Sequence, residues 1–284
     1  IRFLRETGER LAVDGERPDV GLHEGGYLYL ASEAGAPVLA ASHALQQAEG
    51  ADILLMEPPA LAARFPWLNL DGLASGAWGR TGEGWFDGWA LLQAFRKAAR
   101  ARGVEFRQGE VTACERAGGR IVAVRLADGS RIACGAVVNA AGSHGARLAA
   151  TAGVELPVRP KTRFVFAFHC RGEVVGCPLL IDTTGVYVRP EGKPGAEGQM
   201  FICGASPPPD QDRDWDEADP ASLEVDWSFF EETVWPALAH RIPAFEAIRP
   251  GRAWAGPYDM NTLDANAIVG RAIGLENLYL ANGF

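Results

Sequence analysis

The sequence predicts a mixed α/β chain, an α/β part that is left and later re-entered, with a β-rich antiparallel part between. Three observations carry this. "WALLQAFRKAARARG" places its apolar residues on one face, follows the N-cap candidate Asp87, gathers Lys and Arg in its last turns and stops at Gly103. "VVNAAGSHGARLAATAG" runs from a buried strand straight into a short helix that closes at Gly153. Between Val158 and Ser206 the patterns are all strand: "TRFVFAFH", "PLLIDTTGVYVRP" and "MFICGA".

In chain order, "FLRETGERLAV" from Phe3 to Val13 has helical apolar spacing, and "GGYLYLA" alternates like a half-buried strand. A helix is expected over Ala34 to Ala48, and "PPALAARFP" is a short helix with proline at each end. The glycine-rich "LASGAWGRTGEGWFDGW" reads as a loop system of the kind that often forms part of a site. "VEFRQGEVTACERAGGRIVAVRLADGSRIACGAVVNAAG" reads as two strands, a Gly118-Gly119 turn, a strand, an Asp128-Gly129 turn and a long strand ending at Asn139. Leu223 to Ala239 returns to helix. "IRPGRAWAGPYDMNTLDANAIVG" and "NLYLANGF" resume strand and loop, with a short buried strand from Asn277 to Ala281.

With 48% apolar and 22% charged residues over 284 positions, the chain can bury a substantial core. Its net charge is −9 and its Lys and Arg are scattered, so the electrostatic footprint of a nucleic-acid binder is missing. No apolar run approaches the roughly 18 residues of a membrane span, so no such span is expected. Five cysteines, an odd number without C-x-x-C, argue against a disulfide framework and a structural zinc site. They read as small buried hydrophobes in a reducing, cytoplasmic setting.

No G-x-G-x-x-G occurs, and "GEGWFD" lacks the third glycine and follows a loop. "VVNAAGSHGARLA" supports two readings: a helix N-terminus facing an anion, with Ala140, Ala141 and Gly142 admitting a bulky ligand, or simply tight strand-to-helix packing. The acidic "DQDRDWDEAD" alternates like a calcium loop but has Trp215 where glycine is needed and Ala221 where glutamate is needed, so a solvated loop is expected. The five histidines lack metal-ligand spacing, and neither G-x-S-x-G nor H-E-x-x-H appears.

Four segments together, "DGWALLQAFRKAARARGVEF", "VVNAAGSHGARLA", "GVYVRPEG" and "TLDANAIVGRAIGLENLYLANGF", resemble the D-amino-acid-oxidase-like (DAO) family of FAD-dependent oxidoreductases, in order and across nearly the whole chain. In the last third, "LEVDWSFFEETVWPALAHRIPAFE" and "WAGPYDMNTLDANAIVG" are similar to a member linked to respiratory complex I assembly and to its bacterial relatives. The resemblance implies an FAD/NAD(P)-binding Rossmann-like domain, incomplete here, from residues 1–14, 86–155 and 250–284, and a β-rich antiparallel substrate domain from 15–85 and 156–249. It also implies that the G-x-G-x-x-G unit precedes Ile1 and that a further segment follows Phe284. FAD is the implied cofactor, held noncovalently, because Pro257 and Tyr258 stand where covalent members have cysteine.

The implied activity is oxidation of the C–N bond of a secondary or tertiary amine or an amino acid, sarcosine- or dimethylglycine-like. Electrons would pass to an acceptor protein in a dehydrogenase or to oxygen in an oxidase. The alternative is a noncatalytic flavin-binding or respiratory-complex assembly protein; a plain NAD-dependent dehydrogenase fits the C-terminal segments less well. By the same resemblance, Val111 lies near the adenine, and Ala140, Ala141 and Gly142 pack against ribose and pyrophosphate. Gly256, Tyr258, Gly270, Asn282, Gly283 and Phe284 line the flavin ring. Tyr187 and Arg189 face the substrate, where an arginine can hold a carboxylate bidentately, or else they are ordinary alternating strand residues. Many members carry a substrate-binding arginine where this chain has Asp259 and Met260, which leaves Arg189, Arg163 or Arg252 as replacements.

Overall fold

A computed structural model describes residues 1–284, which divide into two compact units. Unit 1 comprises Ile1–Phe106, Val165–Ser206 and Asp226–Ala253. Its helices are α1 (Arg2–Arg5), α2 (Thr7–Arg10), α3 (Ala36–Ala48), α4 (Pro58–Arg64), α5 (Gly88–Ala101), α7 (Trp227–Phe229) and α8 (Trp235–Arg241). Its strands are β1 (Tyr27–Ala31), β2 (Ile53–Met56), β3 (Ser75–Gly79), β9 (Leu179–Ile181), β10 (Tyr187–Gly195) and β11 (Gly198–Gly204). With β8 (Val158–Cys170) and β12 (Ile248–Asn261), they form an eight-stranded sheet ordered β12-β8-β11-β10-β9-β1-β3-β2. The described neighbours run antiparallel except β1 and β9, which are parallel.

One face of this sheet is apolar because alternate residues are: Leu28 and Leu30, Leu180, Val188, Phe201 and Cys203, Phe166 and Phe168 are all buried. Against them pack aromatic rings from the C-terminal part of the unit, with Phe245 meeting Phe168 at 5.0 Å and Phe201 at 4.9 Å, and Phe230 meeting Phe166 at 5.0 Å. Each such side chain contributes about 1.5–3 kcal/mol of burial. The expected helix from Leu223 to Ala239 contains a wider π turn, Phe230–Val234, immediately before α8. Pro236, in the first turn of α8, has no N–H to continue the regular ladder. The expected helix over Phe3 to Val13 is likewise two short turns, α1 and α2, which meet at Glu6. Asp87 caps α5 as the sequence indicates, accepting from Ala90 N at 3.0 Å, and Gly103 follows the helix with φ +84°.

Arg241 and Asp182, each about 95% or more buried, form the polar anchor beneath the sheet. Arg241 Nε donates to Asp182 Oδ1 at 2.6 Å, and its Nη1 donates to Asn69 O and, at 3.1 Å, to Asp71 O. Thr184 adds two donors to Asp182 Oδ2. Burial opposes ionisation of Asp182, but the Arg241 guanidinium and the Thr184 donors prevail and hold its carboxyl below the usual carboxylate range.

Unit 2 comprises Arg107–Phe164, Pro207–Val225 and Trp254–Phe284. It contains a meander of β4 (Val111–Ala117), β5 (Arg120–Leu126) and β6 (Arg131–Ala133). A second three-stranded sheet is ordered β13-β14-β7, from β13 (Ile268–Arg271), β14 (Leu278–Asn282) and β7 (Val137–Asn139), and β7 leads into α6 (Gly145–Thr151). The core is Cys114, Ile121, Ala152, Ala272, Leu275, Leu278 and Leu280. The expected long strand ending at Asn139 is therefore two strands in different sheets. Buried Asn277 holds the break, donating to Gly135 O and Ile121 O at 2.7 Å each and accepting from Ile121 N at 2.8 Å. The expected strand after Gly103 is absent, since residues 104–110 pair with no strand, and in unit 1 Phe106 lies under the guanidinium groups of Arg96 and Arg100 instead.

The acidic run is the other correction. Asp212 and Asp214 are not simply solvated: they face Arg159, Lys161 and Arg163 on β8, with Asp212 bound by Arg163 at 2.6 Å and Asp214 by Lys161 at 2.9 Å. Backbone bonds from Thr162 N to Arg213 O and from Trp215 N to Pro160 O lay the run along β8 as an added edge. All five cysteines are free thiols, and no helix is long and apolar enough to cross a membrane.

Breaking the buried pair leaves an uncompensated charge. Asp182→Asn is expected to cost about 3–5 kcal/mol in denaturant unfolding at neutral pH. Because the folded carboxyl titrates below its unfolded value, its contribution is present at neutral pH and lost as pH falls through the acid range. The gap between parent and variant therefore narrows below about pH 4.

Candidate functional site

The second face of the unit 1 sheet sets three tyrosines and an arginine among apolar residues. In-register pairing puts Leu55, Ala77, Tyr29, Ile181, Tyr187 and Gly204 in one row across β2, β3, β1, β9, β10 and β11. Residues two positions along a strand share a face, so Tyr27 and Arg189 join them. Burial, with a smaller push from Cys203, raises the Tyr187 phenol above its usual range, and nearby Arg189 opposes the rise. The guanidinium of Arg189 binds Glu191 Oε2, donates to Pro190 O at 3.0 Å, and lies 5.5 Å from the ring centroid of Trp85.

Trp85 and Glu83 come from the glycine-rich segment, and glycine is what lets it approach the sheet. Its first residues are in fact strand β3, which pairs with both β1 and β2. Past Gly79 the chain turns over the sheet. Trp85 and His23 exchange backbone hydrogen bonds at 2.8 and 3.0 Å, Gly26 N donates to Glu83 O, and Tyr27 N donates to Glu83 Oε2 at 3.3 Å. A Cβ on Gly79 would lie 1.8 Å from Glu83 Oε2, so the carboxyl occupies the space a side chain there would need.

In unit 2, a cavity of about 630 Å³ lies where β7 turns into α6. Val111, Val138, Ala140, Ala141 and Leu148 form its apolar wall, and Glu110, Arg147 and Glu217 give it charge. Arg147 binds Glu217 at 2.9 Å, which holds that carboxyl below its usual range, and His144 Nε2 stands 3.3 Å from the same carboxylate. Gly142 begins the turn with φ +52° and nothing within 4 Å of its missing side chain.

Asn139 supports this turn, donating to Gly145 O at 2.8 Å and accepting from Ala141 N at 3.2 Å. Next to it Asn282 is fully buried, with neither amide atom hydrogen-bonded, against Gly145, where a Cβ would lie 2.1 Å from Nδ2. Gly283 N donates to Asp259 Oδ2 at 2.8 Å, and Gly283 sits at φ +74°. Phe284 is exposed.

Of the sequence candidates, Val111, Ala140 and Ala141 share one cavity with Gly142 beside it, and Tyr187 shares a face with Arg189. Gly256 and Gly270 stand on β12 and β13 with open space around them, and Tyr258 is exposed beneath the Arg163 guanidinium at 5.6 Å. Arg163 Nη2 also comes within 3.8 Å of Met260 Sδ, so a guanidinium reaches this stretch from β8, already paired with Asp212. The sequence reading missed Glu83, Trp85, Asn139 and Asn277; for the first two, the glycines around them were the available signal.

The family model described as FAD dependent oxidoreductase matches residues 2–284. The FAD-dependent oxidoreductase domain-containing protein 1 of Xenopus laevis is 40% identical, and the alignment covers all of this chain and 61% of that protein. Two solved structures share the fold. L-proline dehydrogenase from P. horikoshii has a TM-score of 0.79 at 22% identity, covering 100% of this chain and 71% of that one. Glycine oxidase from Geobacillus kaustophilus has a TM-score of 0.77 at 21% identity, covering 99% and 71%. With its match over residues 2–284, the chain belongs to the DAO family of FAD-dependent oxidoreductases, spanning about three-fifths of the length of the curated relative.

Proposed function

We propose that this chain carries the substrate-facing sheet and part of the cofactor cradle of an oxidoreductase that oxidises the C–N bond of a small amine or amino acid, sarcosine- or dimethylglycine-like. The observation that carries the reading is that Tyr187 and Arg189, two positions apart on β10, share one face of the unit 1 sheet.

The unit 2 cavity fits a nucleotide cofactor, with small residues at the strand-to-helix turn, an apolar wall and a side-chain-free approach at Gly142. Val111 is assigned to the adenine and Ala140 to Gly142 to the ribose and pyrophosphate. Gly256, Tyr258, Gly270, Asn282, Gly283 and Phe284 are assigned to the flavin ring, held noncovalently. FAD, when bound, supplies the hydride acceptor. On the sheet face, Arg189 orients a substrate carboxylate, Tyr187 adds a hydrogen bond from a phenol that burial keeps protonated, and Trp85 and Ile181 exclude water around them. The amine itself is neutral when it reacts, so no strong base is required of the protein.

A second reading, a noncatalytic flavin-binding or respiratory-complex assembly protein, is favoured by one observation. Arg189 and Arg163 are each already engaged by a carboxylate, Glu191 and Asp212.

Stopped-flow mixing of full-length protein with sarcosine, dimethylglycine and a panel of D-amino acids separates the two readings. Flavin bleaching with at least one amine is expected, and none with any would favour the second. For the substrate that works best, Arg189→Lys should lower the second-order reduction rate roughly 10–100-fold, the loss of a charged, two-pronged contact. Gly145→Ala drives a methyl into the Asn282 amide. It should cost about 1–3 kcal/mol in thermal unfolding and lower the flavin-to-protein absorbance ratio of the purified protein.

A further inference from the structure

The second face of the unit 1 sheet extends beyond Tyr187 and Arg189. Two strands away, about 10 Å at ordinary strand spacing, a second pocket of about 180 Å³ opens under α3. Its floor is Tyr27 and Tyr29 of β1, Ile53 of β2 and Ala77 and Gly79 of β3, and Leu39, Ser42 and Gln46 of α3 cover it. The two phenol rings are 6.5 Å apart and tilted by 51°, the opening angle of a partial cage, and Tyr29 is 46% exposed. Glu83 closes the third side.

Electrostatically, Glu83 differs from the ion-paired carboxylates of the chain. Asp182, Asp212, Asp214, Glu191 and Glu217 each face an arginine or lysine, whereas Glu83 receives one long backbone hydrogen bond, from Tyr27 N, and no cation. Burial therefore pushes its carboxyl above the usual range. A carboxylate taken partly out of water without a partner is costly, and a cation placed beside it recovers that cost. The faces of two tyrosines at the same point attract a cation further, most of all one whose charge is spread over methyl groups, within about 6 Å of the ring centroid.

We propose that Tyr27, Tyr29 and Glu83 form a subsite for an alkylated ammonium group, the cationic far end of a substrate or ligand whose other end reaches Tyr187. Glu83 supplies the counter-charge and the two rings the cage, while the missing side chain of Gly79 leaves room for the carboxyl to turn inward. The inference rests on the proposed function only in taking this sheet face as the one that meets substrate; the subsite itself is tested by binding alone.

The test uses the full-length protein with its flavin, titrated calorimetrically with choline and with its uncharged isostere 3,3-dimethylbutan-1-ol. Saturable binding of choline is expected, with the isostere weaker by about tenfold or more. Glu83→Gln and Tyr29→Leu should each weaken choline by a similar factor, Tyr29→Phe should retain most of it, and Tyr187→Phe should leave it unchanged. Glu83→Gln keeps the side chain's shape and removes a half-buried charge, so it should melt no lower than the parent, which separates loss of the subsite from loss of the fold. Equal binding of the isostere, or choline binding untouched by Glu83→Gln, overturns the proposal. Failure of every amine to bleach the flavin defeats the proposed oxidation and leaves this result standing; bleaching with no choline binding does the reverse.

Discussion

The second face of the sheet depends on one steric constraint, the close passage of two glycine-bearing segments in unit 1. A Cβ on Gly26 would lie 2.2 Å from Gly79 O, one on Gly84 2.0 Å from His23 O, and one on Gly25 2.4 Å from the Trp85 ring. Two of these are backbone contacts, which cannot yield as a side chain can, and Gly26 also needs φ +78°. Because the segments touch, Trp85 is held against the Arg189 guanidinium and the Glu83 carboxyl against β3. Gly25, Gly26, Gly79 and Gly84 thus set the positions of Trp85 and Glu83 on the face.

The same sheet uses its two faces for different electrostatic purposes. On the apolar side, Arg241 and Asp182 are sealed together and tie the end of α8 to the 69–71 segment through backbone carbonyls. Such a pair stabilises little relative to a well-packed apolar pair, but losing one partner is severe, so it specifies how those segments meet. On the second face, Arg189 and Glu191 are neighbours on one strand and both partly accessible, so their pairing can be shared with or exchanged for an incoming ion at much lower cost.

What was legible in the sequence was local. Asp87 as a cap, Gly103 as a stop and the alternation of "GGYLYLA" depend on residues within a few positions, and each appears in the structure. What was misread depends on partners far along the chain. Asp212 and Asp214 read as solvated because Lys161 and Arg163 lie about fifty positions upstream. The segment up to Asn139 read as one strand because a period-2 pattern is blind to which sheet each half joins, and that choice is made by Asn277, more than a hundred residues away. Of the candidate site, the small residues of "NAAG" stood out by their size, which marks close approach by a ligand and by the neighbouring helix alike. Glu83 did not stand out, because an unpaired carboxylate looks the same in a sequence as a paired one.

The charges on the second face also bear on what it can hold. A face built for a simple carboxylate would keep an arginine uncommitted, yet here Arg189 is met by Glu191, and in unit 2 Arg163 is met by Asp212. A carboxylate arriving at Arg189 must share its donors with Glu191, and a guanidinium with five N–H groups permits that only from its free edge. At Glu83 nothing has to be displaced, since its environment already lacks the positive charge that ionisation demands. The face therefore offers an anion a shared contact at Arg189 and a cation an open one at Glu83. Its strongest unmet electrostatic demand is for a cation, roughly two strand spacings from the tyrosine and arginine that first marked the face.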